Sequence, residues 1–223
     1  MSELPPRLLT DFDGTVVEKL NPANPLHWRR NLRKYPLAGM EGYVEFLGGV
    51  QSTGVEIGPV VSRRAERLRR AKTTRSISDL SLSEFFGRPD QVILAGSEKE
   101  KGRVVAEQSL LRAIGMLEDS PHKLGKSLLE YALKNSQVEG HHPILIGVVS
   151  HGTSYEKISE LRGELRHRPQ TDDVVVRGEV GSNIGFTAYM GPLEVHVTQL
   201  EPYTAEEGRR FGERLQALSA AEG

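Results

Sequence analysis

Short apolar runs that stop abruptly at a polar or turn residue, each followed by a stretch of helical character, recur in this chain up to about residue 150. Leu8 and Leu9 lead into Asp11, Val55–Val61 stops at Ser62, and Gln91–Ala95 is closed by Gly96. Ile114–Leu117 ends in Glu118, Asp119 and Ser120, and Pro143–Val149 is a fifth run. Between them, Met40, Tyr43, Val44 and Leu47 share a helical spacing, as do Val104, Val105, Gln108 and Leu111. Arg63–Lys72 reads as a basic helix, Ser76–Phe86 as a looser helical piece, and Leu124–Leu133 as another helix. Short apolar runs bounded by turn residues are strands buried on both faces. Strands that alternate with helices build a parallel sheet covered on both sides, because a parallel crossover must carry the chain back over the sheet.

Beyond about residue 165 the pattern changes. Tyr155–Arg166 is one more helix; then Asp173–Val180, Ile184–Met190 and Leu193–Leu200 read as successive strands with glycine-containing turns, and Thr204–Ala220 as a closing amphipathic helix. The expected fold class is α/β, a doubly wound parallel sheet of Rossmann-like type with extra C-terminal strands and a helix. Residues 1–165 form its core, and 166–223 a β-rich extension packed on that core or extending its sheet. Glu18–Pro36, with three prolines around Trp28, Arg29 and Arg30, is a short flap rather than a domain.

Composition removes several function classes. A formal net charge of −1 argues against a general polyanion binder. The absence of cysteine excludes disulfide staples, thiolate metal sites and a cysteine nucleophile. The start M-S-E-L-P-P-R lacks the basic and apolar regions of a secretory signal. No stretch approaches the roughly 20 apolar residues of a membrane span. A cytoplasmic protein with no membrane partner is therefore expected.

In open parallel sheets, ligands gather beyond the carboxyl ends of the strands. Here that rule collects Asp11 and Asp13, Ser62, and Glu118 with Asp119. Carboxylates this close repel unless a cation or a shared proton lies between them. An Asp-Gly turn would explain the first pair alone, a cap the serine, and an acidic helix start the second pair. Three such strand ends together point instead to one acidic site. L-G-K-S at 124–127 lacks the first glycine of a phosphate-binding loop, and His141, His142 and His151 lack zinc-ligand spacing.

The same residues carry a family resemblance. D-F-D-G-T-V-V (11–17) is similar to the first signature of the haloacid dehalogenase-like superfamily of phosphotransferases, and G-P-V-V-S, ending at Ser62, resembles the second. Lys101, near a helix start, resembles the third, with Lys99 as the alternative; G-M-L-E-D-S-P (115–121) resembles the fourth. The resemblance covers roughly residues 7–150, in the family's order, and implies a magnesium-dependent phosphate-ester hydrolase. Asp11 would be the nucleophile that forms an aspartyl-phosphate, and Asp13 the general acid and base. Ser62 and Lys101 would bind the phosphoryl oxygens. Asp11, the Asp13 carbonyl, Glu118 and Asp119 would hold Mg2+, a cation that prefers oxygen ligands. A phosphomutase or other phosphotransferase would use the same intermediate, and a catalytically weak binding or regulatory protein could keep the same fold.

Neither insertion point of the family, within 18–36 or between Ser62 and Lys101, holds a full cap domain, which suits a large substrate or closure by a partner subunit. The basic run from Arg63 to Arg75 suits a solvated helix face, its commoner use, or a positive rim in which Arg63 and Arg64 are nearest to substrate. The expected partner is a phosphorylated substrate, small or large, with nucleic acid admitted but not favoured.

Overall fold

The computed structural model describes residues 4–11, 15, 42–61, 77–78, 82–86, 93–149, 154–166, 174–177, 185–200 and 203–221. Among them, the strands are β1 (Arg7–Asp11), β2 (Glu56–Val61), β3 (Ile93–Leu94), β4 (Ile114–Glu118), β5 (His142–Val148), β6 (Val174–Arg177), β7 (Gly185–Met190) and β8 (Leu193–Gln199). The helices are α1 (Tyr43–Gln51), α2 (Ser83–Phe86), α3 (Glu98–Ser109), α4 (Pro121–Lys134), α5 (Ser154–Arg166) and α6 (Ala205–Ala220).

All eight strands belong to one sheet, in the order β3-β2-β1-β4-β5-β8-β7-β6. The pairings from β3 through β8 are parallel, whereas β7 runs antiparallel to both β8 and β6. The C-terminal strands thus continue the sheet rather than folding apart: β8 lies in register beside β5 from His142–Leu193 to Val148–Gln199. The result is an α/β protein with a mostly parallel sheet, consistent with a Rossmann-like fold.

Each face of the sheet carries its own core. On one, Leu8, Ile57, Leu117 and Leu145 pack against Tyr43, Phe46 and Leu47 of α1, Phe85 and Phe86 of α2, and Phe211 and Leu215 of α6. On the other, Leu9, Val60, Met116 and Ile146 meet Val105 of α3, Leu124 and Leu128 of α4, and Ile158 and Leu161 of α5. The period of two along a strand explains the division, since neighbours such as Leu8 and Leu9 point to opposite faces. Both cores are apolar enough to hold the sheet between two helical layers.

Helix α6 crosses α1 backbone to backbone. A Cβ on Gly49 would stand 2.0 Å from the Ala205 carbonyl oxygen, and one on Gly208 would stand 2.0 Å from that of Phe46. Only glycine permits this approach. Thr204 caps α6 by accepting the Glu207 amide at 3.1 Å, and Ser97 caps α3 by accepting that of Glu100 at 3.2 Å.

Two helix expectations need correction. The spacing through Leu111 places that residue on a helix, but α3 stops at Ser109 and Leu111 is 61 % exposed, because the chain must turn back to enter β4. In α1, Val44 faces outward, and the buried stripe is Tyr43, Phe46, Leu47 and Val50. The flap at 18–36 and the basic segment Arg63–Lys72 lie outside the described residues.

Candidate functional site

The carboxyl ends of β1 and β4 lie side by side, because these strands pair in parallel from Arg7–Ile114 to Thr10–Leu117. This brings Asp11, the last residue of β1, beside Glu118, the last of β4, and Asp119 immediately after it. One ligand oxygen from each of Asp11, Glu118 and Asp119 lies within 4.8 Å of the others. Asp11 is 4 % exposed and Glu118 1 %, so water supplies little of the screening that such a cluster needs.

Lys101 supplies part of it. It is fully buried, and its Nζ lies 2.9 Å from Asp11 Oδ1 and in contact with Glu118 Oε2. Helix α3 makes this possible: Lys101, Val105 and Ser109 succeed one another at four-residue steps on its buried stripe, so the lysine points toward the sheet. Lys99 points elsewhere; it is exposed and pairs with Glu130 of α4 at 2.9 Å. Of the two lysines near the helix start, the structure brings Lys101 to the acids.

The two acids after β4 are held differently. Glu118 spends Oε2 on Lys101, and its Oε1 accepts the Ser120 amide at 2.9 Å. Burial pushes its carboxyl above the usual carboxylate range, with the Lys101 ammonium pulling the other way and Asp11 adding to the upward push. Asp119 is half-buried; its Oδ2 accepts the Ser120 hydroxyl at 3.1 Å. Ser120 is the N-cap residue of α4, yet its side chain makes no capping bond. The helix therefore forgoes a cap worth roughly 0.5–2 kcal/mol while that hydroxyl holds Asp119.

Three residues join the site that the sequence reading did not single out. Thr15 places Oγ1 3.4 Å from Asp11 Oδ2, a role visible in hindsight in the threonine of D-F-D-G-T. Thr10 points to the opposite face, donating to the Asp11 carbonyl at 3.0 Å and sharing a 2.7 Å hydrogen bond with the Tyr43 hydroxyl. Lys157 of α5 donates to the Asp119 carbonyl at 2.6 Å. Nothing in its local sequence signals this, because the contact joins a helix to a distant strand end. Asp13, Ser62, Arg63 and Arg64 lie outside the described residues.

The donor set fits a hard divalent cation. All three carboxylates offer oxygen, and against one buried ammonium they leave the four side chains with a negative formal charge. Glu118, with one oxygen on Lys101 and the other on the Ser120 amide, is the residue that anchors Lys101, and Asp11 and Asp119 complete the cluster. No family model, curated protein or solved structure matches this chain. Among the described residues, no helix is long and apolar enough to cross a membrane.

Proposed function

We propose that the chain is a magnesium-dependent phosphate-ester hydrolase of the haloacid dehalogenase-like kind. The observation that carries this reading is the buried Lys101, held between Asp11 and Glu118 with Asp119 alongside. An ammonium fixed against a carboxylate sets the orientation of that carboxylate, while contributing positive charge where a phosphoryl group would arrive.

In this reading Asp11 attacks phosphorus, the bond from phosphorus to the ester oxygen breaks, and an aspartyl-phosphate forms. The leaving oxygen takes a proton from Asp13. A water then gives its proton back to Asp13 as its oxygen attacks phosphorus, releasing phosphate and restoring Asp11. Mg2+ held by Asp11 and Asp119 would neutralise charge on the transferring group. Lys101 and Thr15 orient the nucleophile, while Thr10 and Tyr43 fix its main chain. Ser62 belongs to the proposal as a second phosphoryl ligand, on the family resemblance alone.

An aryl-phosphate assay tests the reading. Turnover is expected with magnesium, to be lost in EDTA, and to fall at least about a thousandfold in Asp11→Asn, roughly the scale of removing a covalent nucleophile. Magnesium-dependent turnover that survives in Asp11→Asn overturns the role of Asp11. Absence of turnover across a broad phosphate-ester panel favours a binding protein of the same fold.

A further inference from the structure

We infer that Lys157 is a positioning residue for the cation site, acting through the main chain of Asp119. The inference rests on the reading of Asp119 as a ligand and assigns the residue that holds it in place. Asp119 is the first residue beyond β4, where sheet hydrogen bonding gives out: the preceding carbonyl, that of Glu118, still accepts the Val149 amide at 3.0 Å. The next carbonyl is taken by the Lys157 ammonium, at 2.6 Å. The strand's fixed geometry is in this way extended by one residue, just far enough to include a carboxylate that a cation would use.

The bond is charge-assisted, which makes it shorter and stronger than one between neutral groups. It also ties the site to α5, whose Ile158, Leu161 and Leu165 are buried against the sheet. Lys157 leaves the same helix one residue before Ile158, so its ammonium has a rigid base. Because it pairs with a carbonyl rather than a carboxylate, it adds positive charge beside the cluster without using up an acidic ligand.

These two properties act on cation binding with opposite signs. Positive charge near a cation weakens its binding by repulsion, whereas a fixed Asp119 strengthens it. The positioning role therefore makes a directional prediction. Isothermal titration with MgCl2 should show Lys157→Met binding about tenfold more weakly than the wild type, the scale of one charge-assisted hydrogen bond. Lys157→Arg, which keeps a cationic donor, should recover most of the loss. The thermal midpoint of the magnesium-free protein should fall slightly in Lys157→Met, by the loss of one hydrogen bond, and recover in Lys157→Arg.

Equal or tighter magnesium binding by Lys157→Met overturns the inference, tighter binding showing that the ammonium acts by repulsion alone. A lowered midpoint with unchanged magnesium affinity also overturns it, in favour of a purely structural contact. Failure of the wild type to bind magnesium overturns the hydrolase reading instead.

Discussion

The middle of the sheet and its C-terminal edge are built from the same kinds of residue and differ in what covers them. In β4 every residue is buried, and in β5 all but His142. In β7 and β8 buried and half-buried residues alternate. Met116 and Leu117 both lie in cores, on opposite faces; Val195 and Val197 lie in one, while Glu194 and His196, which alternate with them, point the other way. Helices α1 and α6 roof the central strands on the side where β7 and β8 show their polar residues. There Thr187 bonds His196 Nδ1 at 3.1 Å, and Glu194 bonds His196 Nε2 at 2.9 Å. A roof on both faces makes an ionic cluster strongly coupled and costly to break, whereas a half-open face lets a polar chain form with water nearby.

Three changes test this contrast, beginning with the largest. Lys101→Met removes the counter-charge from buried carboxylates and is expected to destabilise the fold by about 3–5 kcal/mol, read from urea denaturation. A loss below about 1 kcal/mol, the scale of an exposed pair, would break the contrast. Met116→Ala should cost about 2–5 kcal/mol, since β4 is held from both sides and closes poorly over a void.

The smallest effect belongs to the edge. Burial, the largest influence, holds the His196 imidazole below its usual 6.5; Arg214 adds to this and Glu194 opposes it. The unfolded chain therefore takes up a proton at a higher pH than the folded one. The stability contribution is complete above pH 6.5 and declines as pH falls from there through the lower folded value. His196→Gln should flatten that part of the stability profile, measured by denaturation at a series of pH values. An unchanged slope would show that the folded imidazole titrates as the unfolded one does, and that burial at the edge does not act on it.

How much of this was legible in the sequence depends on how local the cause is. Asp11, Glu118 and Asp119 were legible because each ends an apolar run, and a parallel sheet places such ends together. Lys101 was separable from Lys99 only through the stripe that it shares with Val105, which a count of charges in S-E-K-E-K hides. Lys157 was not legible, since its partner is a main-chain carbonyl 38 residues away. Leu111 misled because apolar spacing records which side of a helix is greasy, not where the chain must turn. The insertion of β8 between β5 and β7 was equally hidden: pairing partners are chosen by tertiary packing, and strand order leaves no local mark.

The glycine crossing of α1 and α6 has a consequence for the order of events during synthesis. Asp11, Lys101, Glu118 and Asp119 have all been made once α4 is complete, yet Tyr43, Phe46 and Leu47 still await Phe211 and Leu215 from the last helix. Strands β6 and β7 are likewise made before β8, the strand through which they join the sheet. A nascent chain would thus carry its acidic cluster on a sheet whose opposite face is still bare, and that face would be covered only when α6 closes over α1.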